Sequence, residues 1–209
     1  AEAGVETIDV TASPVAISEI ALTERQKIVG VALVDIGAET TSLSVFENGL
    51  MVSVHTFSIG STDITNDIAL GFKIPLEEAE NFKFGNIGEG YSKKKLDEII
   101  EARLCDIFES IENHLKKIKR SELLPAGIVF VGGGASTPNL VELSKSILKL
   151  PASLGSTDIF GNAKTKLRES TWFTALGLLS AGKDSGSAYP DGSFKNLVRD
   201  FKSALKSSI

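Results

Sequence analysis

The sequence predicts an α/β fold, and three observations carry that prediction. Residues 31–58 read as strands joined by tight turns. "AGIVFV" is a short apolar run of the kind found in a sheet covered on both faces. Between and after these runs lie segments whose apolar residues recur at helical spacing. A hairpin start, a later buried strand and covering helices together make a layered α/β domain.

Taken in order, "GVETIDV" reads as a short strand, and Ser13-Pro14 as an N-cap followed by proline at the first helical position. A helix, "VAISEIALTERQ", is expected next, then strands at 31–36, 42–47 and 50–58, the last two paired across the Asn48-Gly49 turn. From Thr62 the pattern turns helical, first in "TDITNDIALGF" and again after Pro75 in "LEEAENFKF". The glycine-rich "GNIGEGYS" leads into the longest helix, at about 92–119, with Leu96, Ile99, Ile100, Leu104, Ile107, Phe108, Ile111 and Leu115 on one stripe. After "AGIVFV", the loop "GGGAST" leads to a helix expected to start at Pro138, under a Thr137 cap. A short strand "ASLG", an irregular loop and the helix "STWFTALGLLSAG" follow. Residues 182–193 have linker composition.

The end of the chain, "SFKNLVRDFKSALKSSI", has its own pattern. On a helix, Phe194, Leu197, Val198, Phe201, Leu205 and Ile209 share one stripe, with Lys195, Arg199, Lys202 and Lys206 gathered beside it. Basic residues flanking an apolar stripe suit a helix lying in an anionic bilayer interface.

Composition narrows the function classes. The 209 residues are 42% hydrophobic, enough for one or two cores. A net charge of −5 argues against general nucleic-acid binding. The single cysteine, Cys105, excludes an internal disulfide, and His55 and His114 stand far apart in sequence, which argues against a zinc cluster. No apolar run approaches the roughly 20 residues of a membrane-spanning helix. The chain has no signal peptide or initiator methionine, and it begins at Ala1 as a piece cut from a longer protein would.

Two loops follow strands: "DIGAETT" and "VGGGAST". Loops at the carboxyl ends of strands are where α/β sheets bind ligands. In the first loop, an acid at a strand end, a glycine turn and adjacent hydroxyls suit phosphate and its magnesium. In the second, the glycines permit close approach of a ligand, and Ser136 or Thr137 is expected to cap the next helix, whose positive end suits anions. The triple glycine read by itself is equally a ligand-free helix-entry turn.

"DIGAETTSLSVFENG" resembles the phosphate-binding hairpin of the actin, heat-shock-chaperone and sugar-kinase ATPase superfamily, and "GIVFVGGGASTPNL" its adenosine loop. Within it, "FSIGSTDITNDIALGF", "EEAENFK", "KKKLDEIIEARLCDIFESIENHLKKI" and "LLPAGIVFVGGGASTPNLVELSKSILKLP" are similar to consecutive blocks of the bacterial cell-division protein FtsA family. The resemblance implies an actin-like (ribonuclease-H-like) second lobe. Residues 1–29 would be the strand and helix from the end of the first lobe, and 30–181 the second lobe. Subdomain IIA would take about 30–60 and 125–181, IIB about 61–124, with 182–193 a flexible linker and 194–209 a membrane-targeting helix.

Carried over by resemblance, Asp35 holds magnesium through water, and Gly37, Thr40 and Thr41 contact the β- and γ-phosphates of ATP. Gly60 faces the phosphates. Glu80 and Lys83 grip ribose and adenine, and Gly132, Gly133, Gly134 and Ala135 pass beneath the adenosine. Arg103 helps receive the C-terminal tail of FtsZ. The function implied is an adaptor that polymerises and tethers FtsZ filaments to anionic inner-membrane lipids. It would act on the cytoplasmic face of the plasma membrane at the division septum, as at most a slow ATPase. The alternatives are a pilus-assembly scaffold of the same superfamily and a sugar or acetate kinase; no catalytic base beside a sugar pocket is evident for the latter.

Two departures from the family pattern stand out. Residues 37–40 read Gly-Ala-Glu-Thr where the superfamily usually has Gly-Gly-Gly-Thr. An unpaired carboxylate at about 4 Å from a phosphate would cost about 4 kcal/mol at an effective dielectric of 20, so Glu39 is expected to turn to solvent. Between Gly85 and Ser92 a short loop replaces a longer stretch that carries IIB strands, which puts the FtsZ-tail pocket in question.

Overall fold

In the computed structural model, residues 10–157 and 169–184 are described. Two short helices come first, α1 (Ser13–Ala21) and α2 (Glu24–Val29). The sequence suggested one continuous helix here. The break falls at Thr23, whose side chain accepts from the Gln26 amide while the Gln26 side chain accepts from the Thr23 amide. That reciprocal capping box starts a new helix in place of continuing the old one. Nor does Ser13 cap α1, because Ala12 occupies that position.

Strands β1 (Val31–Ile36), β2 (Thr41–Glu47) and β3 (Leu50–Phe57) follow, then helices α3 (Ser61–Phe72), α4 (Leu76–Lys83) and α5 (Lys93–Lys117). Strand β4 (Ile128–Val131), a 3-10 turn at Gly133–Ser136, α6 (Leu140–Leu148) and β5 (Ala152–Leu154) complete the sheet. A second 3-10 turn (Ser170–Trp172) enters α7 (Phe173–Asp184). The expected strand in residues 4–10 lies almost wholly outside the described residues. The linker beyond Asp184 and the 194–209 helix lie outside them entirely.

The sheet runs β3-β2-β1-β4-β5. β1–β2 and β2–β3 pair antiparallel, while β1–β4 and β4–β5 pair parallel. Side chains alternate as the pleat requires. Ala32, Val34, Ile36, Ile128 and Phe130 join α3, α4, α5 and α6 in one cluster. Val31, Leu33, Val129 and Val131 join Ile17, Phe173 and Leu176 of α1 and α7 in a second cluster, on the opposite face. Burial on both faces explains why β1 and β4 read as unbroken apolar runs. Helices α3 to α5 share the sheet's own core, so segment 61–124 packs against the sheet directly, and no strand interrupts it.

The edge strand β3 differs from its neighbours: Leu50, Val52 and Val54 are exposed. On its helix-covered side, His55 stacks on His114 of α5 with ring centroids 4.7 Å apart and planes at 16°. The histidines' separation in sequence therefore does not carry over into space. Ser53 Oγ lies 2.9 Å from His114 Nε2.

Candidate functional site

Both loops singled out from the sequence emerge at one place. Asp35 of β1 pairs in register with Val131 of β4, so the chain leaves the sheet at Gly37 and at Gly132 side by side. Gly132 has φ +85°, and a Cβ there would run into the Asp35 carboxylate and the Ile36 carbonyl. Only glycine fits that close approach and that backbone. Gly134 is equally enclosed, by the Ile36 side chain, whereas a Cβ on exposed Gly133 would meet only a methyl of Thr171 at 3.7 Å. Ala135 is buried, and Ser170 Oγ donates to the Gly132 carbonyl at 3.0 Å, pinning the α7 entry to the glycine loop. A shallow recess beside this loop is lined by Phe130, Ala135, Ser136, Leu154 and Gly155.

The turn at 37–40 is closed by the Gly37 amide donating to the Thr40 carbonyl at 2.8 Å. Its Gly37 and Ala38 carbonyls face α3: the Ser61 amide donates to Gly37 O at 2.9 Å and the Thr62 amide to Ala38 O at 2.8 Å. Asp63 accepts from the Gly60 amide at 2.8 Å. The first amides of α3, ordinarily left without partners, are thereby satisfied. With its carbonyls turned inward, the turn leaves the amides of Ala38, Glu39 and Thr40 without an acceptor among the described residues. Successive free amides on an exposed turn form an anion-binding nest.

The site residues expected in this turn divide. Gly37 closes the turn, and Thr40 is exposed with its hydroxyl uncommitted among the described residues. Thr41 is fully buried and donates to Ile59 O at 2.8 Å, so its hydroxyl holds the hairpin to the β3–α3 connection and does not face a ligand. Gly60 lies beneath the turn, where a Cβ would strike the Ala38 carbonyl, and its lack of a side chain admits the turn onto α3. Glu39 is exposed and makes no hydrogen bond or ion pair with any described residue.

Asp35 is half-buried, and burial pushes its pKa up from the usual carboxylate value. Its carboxylate has no hydrogen-bond or ion-pair partner among the described residues. A desolvated anion beside a nest of amides fits a hydrated divalent cation shared with a bound phosphate.

The Glu80–Lys83 pair sits on one face of α4, as its spacing requires, but only Glu80 is accessible. Lys83 is 2% exposed, and its ammonium donates to Glu80 Oε2 at 2.7 Å, Thr65 Oγ1 at 3.0 Å and Ser61 O at 3.3 Å. An ammonium has three hydrogens, so none remains for ribose or adenine, and the expected direct contact from Lys83 is corrected. Burial by itself would raise the Glu80 pKa. Hydrogen bonds from Lys83 and Thr65 and the Lys83 charge outweigh it, and the pKa is lowered.

Arg103 is already engaged within the lobe. It donates from Nε and Nη2 to Asp67 at 2.7 and 3.1 Å, and Nη1 lies 3.2 Å from Asp106. A guanidinium already holding one carboxylate bidentately, with a second alongside, presents no net positive charge to an acidic tail.

The glycine-loop helix begins later than the sequence suggested. Asn139, with φ +61°, is the N-cap of α6, and the Thr137 hydroxyl donates to Gly134 O at 2.8 Å. Neither Ser136 nor Thr137 caps that helix, so the helix-end argument for an anion does not apply there, and the free amides lie in the other loop. Sequence reading missed Ser61, Asp63, Thr65, Asp67 and Ser170. The one signal available was the (i, i+4) placement of Ser61 and Thr65 on the stripe of α3 that also carries Ile64 and Ile68.

Comparison with known proteins agrees with this geometry. Among solved structures, the chain is similar to a type IV pilus biogenesis complex of PilM and PilN (TM-score 0.70, 20% identity, covering 86% of this chain and 54% of that one). It is also similar to MreB5 of Spiroplasma citri bound to AMPPNP (TM-score 0.67, 16% identity, covering 100% of this chain and 64% of that one). At such identities the likeness shows the fold, which is actin-like. The cell division protein FtsA of Bacillus subtilis (strain 168) is 30% identical over 200 residues, 85% of this chain and 44% of that protein. The chain spans about half the length of the curated relatives it matches. The family model described as cell division protein FtsA matches residues 32–177, from the second residue of β1 into α7, and so takes in both strand-end loops and the helices that brace them. With that stretch matched and the actin-like sheet beneath it, the chain belongs to the FtsA family of cell-division proteins.

Proposed function

We propose that this chain is the second lobe of an actin-like cell-division adaptor that binds ATP with magnesium, polymerises, and tethers FtsZ filaments to the cytoplasmic membrane at the division septum. The observation that carries the nucleotide reading is the juxtaposition of three free amides at Ala38, Glu39 and Thr40 with the unpaired Asp35 carboxylate against Gly132. In this reading the amides and the Thr40 hydroxyl receive phosphate oxygens. Gly133, where the chain is open, lies under the adenosine, and Glu80 meets the ribose. Asp35 holds the magnesium through water. The cation supplies positive charge shared between Asp35 and the phosphates.

The lobe is assigned to 30–181, with IIA at about 30–60 and 125–181 and IIB at about 61–124. Membrane contact is assigned to 194–209, reached through the linker 182–193, with Phe194, Leu197, Val198, Phe201 and Leu205 entering the interface. Lys195, Arg199, Lys202 and Lys206 would meet anionic headgroups. One such helix binds reversibly, and many arrayed on a filament bind firmly. FtsZ engagement rests on family membership and not on Arg103. The test is sedimentation of the complete protein with FtsZ filaments and anionic vesicles. Nucleotide-dependent recruitment of FtsZ to vesicles is expected, and failure to recruit FtsZ under any nucleotide condition would contradict the adaptor role.

A further inference from the structure

Three groups at the α3–α4 junction form a closed polar triangle. Thr65 Oγ1 donates to Glu80 Oε2 at 2.5 Å, Lys83 Nζ donates to the same Oε2 at 2.7 Å, and Lys83 Nζ lies 3.0 Å from Thr65 Oγ1. Lys83 and Thr65 are buried, while the Glu80 side chain is 49% exposed. Oε2 thus takes both internal bonds, and Oε1 has no partner among the described residues. The third hydrogen of Lys83 goes to Ser61 O, and the Ser61 amide in turn holds the Gly37 carbonyl of the phosphate turn. One continuous set of hydrogen bonds therefore fixes the Glu80 carboxylate relative to the turn at 37–40.

We propose that Thr65 is a positioning residue for a ribose subsite: with Lys83 it fixes Glu80 through Oε2, so that Oε1 faces the ribose hydroxyls of a bound nucleotide. Neither Thr65 nor Lys83 touches the ligand. This assignment rests on the nucleotide reading above. A threonine that only filled space in α3 would affect stability and not the choice between sugars. A threonine that orients Glu80 affects that choice directly, because a carboxylate free to swing no longer favours a ribose over a deoxyribose.

The experiment measures binding of ATP, 2′-deoxy-ATP and 3′-deoxy-ATP, each with magnesium, to the complete protein. Wild type is compared with Thr65→Val, Thr65→Ser and, should the valine variant not fold, Thr65→Cys. Wild type is expected to prefer ATP over at least one deoxy analogue by about tenfold, the worth of one good hydrogen bond to a charged group. Thr65→Val (or Thr65→Cys) should bring that ratio close to one, and Thr65→Ser, which keeps the hydroxyl, should restore it. An unchanged ratio in a folded Thr65→Val or Thr65→Cys protein would overturn the positioning role. A wild type that binds ATP without distinguishing either analogue would overturn the ribose subsite while leaving nucleotide binding intact. A wild type that binds no nucleotide would overturn both.

Discussion

Arg103 of α5 and Asp67 of α3 are joined by two hydrogen bonds, 2.7 and 3.1 Å long, between two of the helices that cover one face of the sheet. Asp67 raises the Arg103 pKa first through this hydrogen bonding and then through its charge, with Asp106 and Asp63 adding to the field. The side chains are 29% and 30% exposed, so solvent screens the pair only in part. Arg103→Ala should cost about 1–2 kcal/mol of unfolding free energy, the range for a partly exposed charge-assisted pair. Asp67→Ala should cost a similar amount, and the double variant little more than either. Additive losses in denaturant titrations would show that the two residues act independently.

The stacked histidines predict a pH response. Burial, the neighbouring His55 and the charge of Lys117 lower the His114 pKa below its ordinary value of 6.5. A depressed pKa means the folded protein takes up the proton less readily than the unfolded chain. Its contribution is complete above the ordinary value and is lost as pH falls from there through the lowered folded-state value. The melting temperature should therefore drop between about pH 7.5 and about pH 5.5, a window above the ordinary carboxylate range. His114→Gln should flatten that slope, and an unchanged slope in the variant would assign the response to other groups.

The glycines at the site are not equivalent. Gly60→Ala and Gly132→Ala place a Cβ against backbone carbonyls and should destabilise the fold by about 1–3 kcal/mol. A Cβ at Gly133 meets one methyl at ordinary contact distance, so Gly133→Val should leave the melting temperature close to wild type while obstructing the base. Calorimetric titration that gives a folded Gly133→Val protein wild-type ATP affinity would remove the glycine loop from the site.

Deletion after Gly192, or Phe201→Glu, should release the protein from anionic vesicles in a flotation assay while the domain stays folded. Vesicle binding by the deletion protein would place the membrane contact elsewhere in the chain.

Much of the fold is readable from local pattern. Strand β1 falls on its expected residues, and β2 and β3 lie within one residue of theirs, because Gly37 and Asn48-Gly49 punctuate alternating apolar runs. Helix α5 was evident from its stripe of seven buried side chains, Leu96 to Leu115. What sequence could not supply was side-chain commitment across space. Thr41 looks like a phosphate ligand until Ile59 O takes its hydroxyl, and Arg103 looks available until Asp67 occupies it. Lys83 looks like a nucleotide contact until α3 encloses it. Each of these partners lies at least 18 residues away along the chain or depends on how α3 docks, and neither periodicity nor spacing encodes that. The capping errors at Ser13 and Thr137 have a different origin: backbone geometry puts Ala12 and Asn139 at the two N-cap positions, and neither caps its helix through a side chain.

If Asp35 and the turn at 37–40 bind a magnesium-bearing nucleotide, Asp35→Asn removes the charge that would hold the cation and keeps the shape of the side chain. Burial raises the Asp35 pKa, so at neutral pH the ionised carboxylate opposes folding of the ligand-free protein. The asparagine variant of the complete protein should therefore melt at the wild-type temperature or above it when no ligand is added. With magnesium and ATP, wild type should gain stability and the variant should lose most of that gain, its affinity falling at least about tenfold by titration calorimetry. An Asp35→Asn protein that binds magnesium-ATP as tightly as wild type, and gains as much stability from it, would contradict the account.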